Sequence, residues 1–343
     1  MSTDELRPIA WTGSAMRVID QTMLPGRLEH VDIATVDALI GAIRRLAVRG
    51  APQLGVLGAI GVVIAMDEGV RQGWTDGRLE AAIDAIRAAR PTAVNLAWGV
   101  DRVRPLMAEG RDAVLAAALA MVEDDERVNR AIGSHGADWI LARVQRPVRV
   151  ITHCNTGALA TVAWGTALGI VRELHARGAL GVVYVDETRP LLQGARLTAW
   201  ELERDGIPYL VQADGAAAST ILRGLVDVAI FGADRIAANG DVANKVGSLG
   251  VALACREAGI PCLSAAPVST VDLATPTGDD IEIEMRGDDE VVAFGGVRVA
   301  PEGARAHNPA FDVTPARFIT GLVTEHGVLA VAAGETPARV LGA

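Results

Sequence analysis

Val148-Arg149-Val150-Ile151-Thr152-His153-Cys154-Asn155 is an apolar run that ends abruptly in polar and reactive side chains. Its length and β-branched content predict a buried strand over 148–154. The Ala-rich stretch after it predicts a long helix to about residue 176, with Cys154 near its start. The same alternation then repeats. Strands are expected at 182–186, 209–212, 226–231 and 262–265, and helices over 190 to about 204, near 246–258 and near 316–325. Strand, loop and helix in this order imply a parallel sheet with helices on both faces, so the fold class is α/β.

Upstream the pattern changes. From about residue 35 to 132 apolar residues recur at helical spacing, with helices expected over 36–48, 77–89 and 112–132. Arg49-Gly50 ends the first, and Pro52 stands where a new helix can begin. Gly55, Gly58 and Gly61 recur every three residues, which lets a neighbouring backbone approach closely. The change of pattern places a boundary near residue 130, giving a small, mainly helical N-terminal domain (1–130) and a sheet domain (131–343). The stretch 275–303, rich in Gly, Asp and Glu, reads as a loop or hairpin excursion.

Half of the 343 residues are hydrophobic but only 3% are aromatic, so the core must be built from Ala, Val, Leu and Ile. Small aliphatic side chains suit helices packed on a parallel sheet. A net charge of −10 argues against nonspecific nucleic-acid binding, which needs a basic surface. A small anionic substrate needs only a few well-placed cations. Three cysteines without CxxC spacing offer neither a disulfide framework nor a zinc-ribbon pattern. The charged start MSTDELRPIAW lacks a signal-peptide core. The apolar runs at 55–66 and 156–171 fall short of the roughly 18 residues that span a bilayer. A cytoplasmic protein without membrane partners is expected.

In an open parallel sheet ligands bind beyond the carboxyl ends of the strands. That rule selects Thr152-His153-Cys154-Asn155, Asp186-Glu187-Thr188-Arg189 and Gly232-Ala233-Asp234-Arg235. Cys154 would have its thiol pKa lowered at a helix N-terminus. A buried structural cysteine is the commoner reading of a lone Cys, but the strand-end position and polar neighbours favour chemistry here. Cys255 and Cys262 lack both features and read as core. His153 should point away from Cys154, because strand neighbours face opposite sides. Asp234 would be partly desolvated and raised towards acid–base use, while pairing with Arg235 or capping the next turn fits equally well. Arg49-Gly50-Ala51-Pro52 could bind an anion at a helix start, although an ordinary helix–turn–helix connection is commoner. Lys245 is the only lysine in the chain, which hints at a point charge used for chemistry or phosphate. GxxxxGK[ST], HExxH, GxSxG and a strand followed by GxGxxG are all missing, so a nicotinamide oxidoreductase is unsupported.

Several longer segments carry a resemblance. Arg49-Gly50-Ala51-Pro52, Arg90-Pro91-Thr92-Ala93-Val94-Asn95-Leu96-Ala97-Trp98, the run from Thr152 to Thr161, the run from Asp186 to Thr198, the run from Gly232 to Lys245, and Asn308-Pro309-Ala310-Phe311-Asp312-Val313-Thr314-Pro315 occur in order. From about Trp11 to Val328 the chain resembles the methylthioribose-1-phosphate isomerases of methionine salvage. The resemblance implies a Rossmann-like second domain, a homodimer and the conversion of 5-methylthio-ribose 1-phosphate to its ribulose isomer without metal or organic cofactor. It puts a catalytic cysteine on Cys154 and a proton-donating aspartate on Asp234. It puts substrate contacts on Arg49, Gly50, Ala51, Arg90, Gln193, Asn244 and Lys245. Thr156, Leu191 and the Met-free stretch 213–219 depart from the family pattern and bear on the substrate's 5-substituent. Isomerases of 5-deoxyribose 1-phosphate or ribose 1,5-bisphosphate, and the related regulatory subunits of a translation initiation exchange factor, are the alternatives. Those subunits are binding proteins that generally lack the cysteine–aspartate pair.

Overall fold

The computed structural model describes residues 6–90 and 94–341, so the first five residues of the charged start lie outside it. The chain forms two compact units. One holds the residues up to Ala131 together with Thr156–Gly169, and the other holds Ile132–Asn155 and the chain from Ile170 onward.

The first unit opens with an antiparallel sheet, Ile9–Trp11, Met16–Ile19 and His30–Ile33, which the helical pattern downstream did not announce. Helices follow at Val36–Arg44, Ala51–Gln72, Asp76–Arg87, Val94–Val103 and Arg111–Leu141. The last of these runs nine residues past the expected end at 132, and from Ile132 on it belongs to the second unit. The apolar run at 55–66 belongs to the 22-residue helix Ala51–Gln72, which is long and apolar enough to cross a membrane. That corrects the expectation that no run reaches spanning length. Leu54, Leu57, Ile60 and Ile64 are buried with the rest of this helix, so it is the core of its unit.

The glycine spacing explains how tightly the core helix packs. A Cβ on Gly58 would stand 2.5 Å from the Leu96 carbonyl oxygen, and one on Gly99 would fall on the Gly55 carbonyl. The helices Ala51–Gln72 and Val94–Val103 therefore meet backbone to backbone. Gly99→Ala is expected to destabilise the protein by ~1–3 kcal/mol through overpacking, read as a lower urea midpoint at unchanged m value.

Thr156–Gly169 is not the helix expected after Cys154. It is a loop with one short 3-10 turn, and the helix begins only at Ala167. The Thr166 N–H closes the loop on the Thr156 carbonyl (2.9 Å), and Gly165 lies against Gly157 at φ +87°. Helix Arg111–Leu141 anchors it through Asp125, whose carboxylate accepts the Val162 N–H (3.1 Å) and the Asn129 amide (2.9 Å). Part of Asp125 is exposed, yet its carboxyl group lies inside the protein. Burial pushes it up to about 7, with the Glu126 charge adding to the rise and the two hydrogen bonds opposing it. Between the ordinary value of 3.8 and about 7 the folded chain holds a proton that the unfolded chain releases. Stability should therefore fall as pH rises through that window. Melting curves of Asp125→Asn should lack this part of the decline.

The second unit is built on a seven-stranded sheet: β1 Val148–Thr152, β2 Leu180–Asp186, β3 Tyr209–Gln212, β4 Val228–Phe231, β5 Cys262–Ala265, β6 Gly321–Thr324 and β7 Gly327–Leu329. Its order is β3-β2-β1-β4-β5-β6-β7, and the first six strands are parallel. The central strands are apolar on both faces, as buried parallel strands must be, with Val150, Ile151, Ala229 and Ile230 all inaccessible. The helix expected near 316–325 is instead a short 3-10 turn at Ala316–Phe318 followed by β6. Gly321-Leu322-Val323-Thr324 pairs with β5 on one side and with antiparallel β7 on the other. Tertiary pairing here overrides a weak helical pattern. A smaller sheet joins Val271–Asp272, Arg235–Ala237, Val242–Lys245 and Phe311–Thr314. The 275–303 excursion contains a hairpin, Ala293–Phe294 with Val297–Arg298.

Candidate active site

The order in which parallel strands are added reverses at β1, with β2 and β3 on one side and β4 to β6 on the other, so the gap between β1 and β4 is the topological switch point where doubly wound sheets bind ligands. Cys154 lies two residues past β1, and Asp234 lies three residues past β4. β1 and β4 are neighbours in register (Val150 opposite Val228), so both residues sit at adjacent strand ends.

Cys154 is buried with φ +65°, a left-handed conformation that costs a non-glycine residue about 1–3 kcal/mol. Its N–H donates to Thr188 Oγ1 (2.9 Å) and its carbonyl accepts from Thr198 Oγ1 (2.7 Å). Thr188 is itself buried at φ +66°, and Leu192 stands at φ +58°. Three strained residues thus gather beyond β1 and β2, where motif reading gave no sign of them. The helix that was to lower the Cys154 thiol pKa starts thirteen residues later, at Ala167, so that argument falls.

His153 is 1% exposed. Its Nδ1 lies 3.0 Å from Asp186 Oδ2, and its Nε2 lies 2.8 Å from the Val246 carbonyl oxygen. A carbonyl only accepts, so Nε2 donates. Burial resists the charged ring, but the Asp186 hydrogen bond and charge outweigh it, joined by the Asp214 charge and the Val246 carbonyl, and the pKa is raised. Both ring nitrogens are engaged, so none is left for the Cys154 thiol. Asp214 accepts the N–H groups of Thr188 (2.7 Å) and Arg189 (2.6 Å). His153, Asp186 and Asp214 are close enough to group around a cation. Their ligand atoms are already engaged with one another and with the backbone, so the cluster is a hydrogen-bonded frame.

Gln193 is buried just before a wide helical turn at Gly194–Thr198, and its Oε1 has no hydrogen-bond partner among the described residues. The turn packs so closely that a Cβ on Gly194 would fall on the Asp186 carbonyl. The helix expected over 190–204 is regular only at Ala199–Arg204.

Asp234 is half-buried, and its N–H donates to the Ala243 carbonyl (2.9 Å). Arg235 reaches Asp272 at 3.7 Å. The pairing of Arg235 with Ala243, continued by one residue, sets Asn244 opposite Asp234. Asn244 Nδ2 donates to Ser248 Oγ (2.8 Å). Lys245 is buried, its Nζ donating to the Ala310 carbonyl (2.7 Å) and standing 4.7 Å from the Phe311 ring. Asp312 accepts the N–H groups of Gly247 and Leu249, so the start of helix Ser248–Ala258 is filled by the chain's own carboxylate.

Cys154, Gln193, Asp234, Asn244 and Lys245 thus all belong to the second unit, with Cys154 and Asp234 at adjacent strand ends and Asn244 opposite Asp234. Arg49, Gly50, Ala51 and Arg90 belong to the first unit. Gly50, at φ +107°, caps helix Ala51–Gln72 with Pro52 in its first turn, as expected, and a Cβ there would collide with the Ala160 backbone. Arg90 is half-buried, while Pro91, Thr92 and Ala93 of its motif lie outside the described residues. The signals that motif reading missed are the His153 frame and the strained backbones. Breaking the frame with Asp186→Asn disrupts the buried hydrogen bond to His153 Nδ1 and should cost ~1–3 kcal/mol, measured by urea unfolding at neutral pH.

Residues 47–331 match the initiation factor 2 subunit family. A methylthioribose-1-phosphate isomerase of Gloeobacter violaceus is 50% identical, with 95% of this chain aligned to 94% of that one. A probable bifunctional methylthioribose-1-phosphate isomerase/methylthioribulose-1-phosphate dehydratase of Nocardia farcinica is 52% identical over 98% of this chain, which spans 62% of that protein's length. A 5-deoxyribose 1-phosphate isomerase of Moorella thermoacetica is 46% identical over 98% of both chains. Among solved structures, 5-methylthioribose 1-phosphate isomerase of Pyrococcus horikoshii OT3 superposes with a TM-score of 0.86 at 37% identity, covering 96% of this chain and 93% of that one. A structure described as translation initiation factor eIF-2B, subunit delta, from A. fulgidus gives 0.85 at 38%, covering 98% of this chain and 100% of that one. By full-length identity, the chain belongs to the initiation factor 2 subunit family and, within it, to the methylthioribose-1-phosphate isomerases.

Proposed function

We propose that this chain isomerises 5-methylthio-ribose 1-phosphate to 5-methylthio-ribulose 1-phosphate, in methionine salvage. The observation that carries the reading is the strained, buried Cys154 at the switch point of the sheet, with Asp234 at the neighbouring strand end. The strand order β3-β2-β1-β4-β5-β6 supports the Rossmann-like description of the second unit. The enzyme works as a cytoplasmic homodimer.

The substrate's chemistry sets the task. A phosphate on C1 blocks the free aldehyde, so the ring must open with acid help, and Asp234 is the proton donor to the ring oxygen. A hydrogen then moves from C2 to C1. Cys154 relays it as a proton through an enediol-like intermediate, or it passes as a hydride in a dry pocket. Arg49, Gly50, Ala51, Arg90, Gln193, Asn244 and Lys245 hold the sugar phosphate. The unpartnered Oε1 of buried Gln193 supports its place in this set, since a substrate hydroxyl would satisfy it.

The Moorella relative's name favours a second substrate, 5-deoxyribose 1-phosphate, with the same chemistry. The test is purified protein with each pentose 1-phosphate, including ribose 1,5-bisphosphate, followed by phosphorus NMR. Conversion with the highest kcat/KM for the methylthio sugar is expected. Cys154→Ala and Asp234→Asn should each lower kcat by ~100-fold or more with unchanged melting temperature. Near-normal turnover in either variant removes that residue from the mechanism. Folded wild-type protein that converts none of the sugars would favour the regulatory, non-catalytic reading.

A further inference from the structure

The backbone N–H and carbonyl of Cys154 both meet buried threonine hydroxyls, Thr188 at the N–H and Thr198 at the carbonyl. Counting donors fixes the direction of each bond. Thr188 Oγ1 accepts from Cys154 and spends its one proton on the Asp186 carbonyl (2.9 Å). On the Thr198 side the direction is imposed from farther away. Arg172 is buried and donates to Glu201 Oε2 (2.8 Å) and to Asp205 Oδ2 (2.7 Å). Glu201 Oε1 accepts from Asn155 Nδ2 (2.8 Å), so the amino end of the Asn155 amide faces the carboxylate. The same Nδ2 donates to Thr198 Oγ1 (3.2 Å). Thr198 accepts there, which leaves its single proton for the Cys154 carbonyl (2.7 Å). All of these residues belong to the second unit.

The two threonines are not equivalent. Thr188 has φ +66° and its N–H is held by Asp214, so it is part of the frame around His153. Thr198 has ordinary helical dihedrals, φ −64° and ψ −47°, at the end of the wide turn Gly194–Thr198. Its own backbone needs no support. It is completely buried, and it presents a hydroxyl oriented through Asn155 and a buried ion pair to the one cysteine with positive φ. A left-handed residue that is not glycine persists only where its surroundings over-determine it. With two soft dihedrals per residue, a group that fixes φ also fixes the direction in which the side chain leaves the backbone.

We infer that Thr198 is a positioning residue for Cys154, its hydroxyl holding the cysteine backbone in the left-handed conformation and so setting the direction of the thiol. This rests on the isomerase reading for the reaction the thiol serves, but the positioning of the thiol can be tested alone.

Thr198→Val keeps the shape of the side chain and removes the hydroxyl, while Thr198→Ser keeps the hydroxyl. Two readouts compare them with wild type. One is kcat and KM for methylthioribose 1-phosphate. The other is the rate of Cys154 alkylation by iodoacetamide across pH, followed by peptide mass spectrometry with Cys255 and Cys262 as internal controls. In Thr198→Val, kcat is expected to fall about 10- to 100-fold with KM within about twofold, as for a slightly misplaced reacting group. Its Cys154 alkylation profile should change while the other two cysteines react as in wild type, and Thr198→Ser should restore both readouts. A merely structural role would expose all three cysteines together and leave kcat per folded molecule unchanged. A folded Thr198→Val variant with wild-type kcat, or with wild-type Cys154 alkylation, overturns the assignment. So does a loss that Thr198→Ser shares, or one that falls on KM alone. Wild-type protein that converts no pentose 1-phosphate would remove the isomerase reading, and the alkylation comparison then decides the positioning role alone. Should Thr198→Val not fold, Thr198→Ala, which also lacks the hydroxyl and adds no bulk, takes its place.

Discussion

The ring of His153 is hydrogen-bonded through both nitrogens, to Asp186 on one side and to the Val246 carbonyl on the other, in surroundings from which water is excluded. That single ring ties together the end of β1, the end of β2 and the turn after Val242–Lys245. Gly247 is a glycine because a Cβ would stand 2.7 Å from the ring. Asp186 also accepts from Gln212 Nε2 (2.8 Å), and Gln212 in turn accepts from Thr220 Oγ1 (2.8 Å), which extends the frame past β3. A buried polar pair is a modest source of net stability, because desolvation offsets most of its attraction. What it supplies is register, since both ring nitrogens are satisfied with the three segments in this placement. Cys154 adjoins His153, Thr188 lies two residues past Asp186, and Lys245 adjoins Val246. The candidate residues hang on this frame.

The first unit uses a different constraint, close backbone approach. Gly55, Gly58 and Gly99 let two helices touch along their main chains, and Gly50 lets the Arg49–Ala51 turn rest on Ala160. Gln21 adds a hydrogen bond to Leu159 on the same loop. The loop Thr156–Gly169 is thereby pinned by the turn at one end and by Asp125 of helix Arg111–Leu141 at Val162. Rigid positioning of backbone donors at such a turn needs this support, because a donor displaced by even 1 Å loses much of its value.

Much of this was legible in the sequence. Apolar strands ending in polar clusters located β1, β2 and β4 and the rim they share, because burial on both faces of a parallel sheet leaves a continuous apolar run. The glycine triplet at 55, 58 and 61 forecast close helix packing. Three features were hidden for physical reasons. The helix expected after Cys154 fails because residues 156–166 satisfy their backbone with loop bonds to distant partners such as Asp125, which local periodicity does not see. Gly321-Leu322-Val323-Thr324 becomes a strand only because β5 and β7 flank it. The His153 frame joins residues 33 and 93 positions apart, a relation that no spacing rule encodes.

Fold alone does not decide what such a scaffold does. Structures with TM-scores of 0.86 and 0.85 to this one carry the names of an isomerase and of a translation factor subunit. The distribution of backbone strain is more informative than overall likeness. Cys255 and Cys262 are equally buried, yet they sit in a regular helix and strand with no positive φ. Only Cys154 is forced into the left-handed region, held there by a hydroxyl on its N–H and another on its carbonyl. A cost of about 1–3 kcal/mol at this thiol, matched by another at Thr188 that supports it, falls on the cysteine at the strand-end rim and not on the two in regular elements.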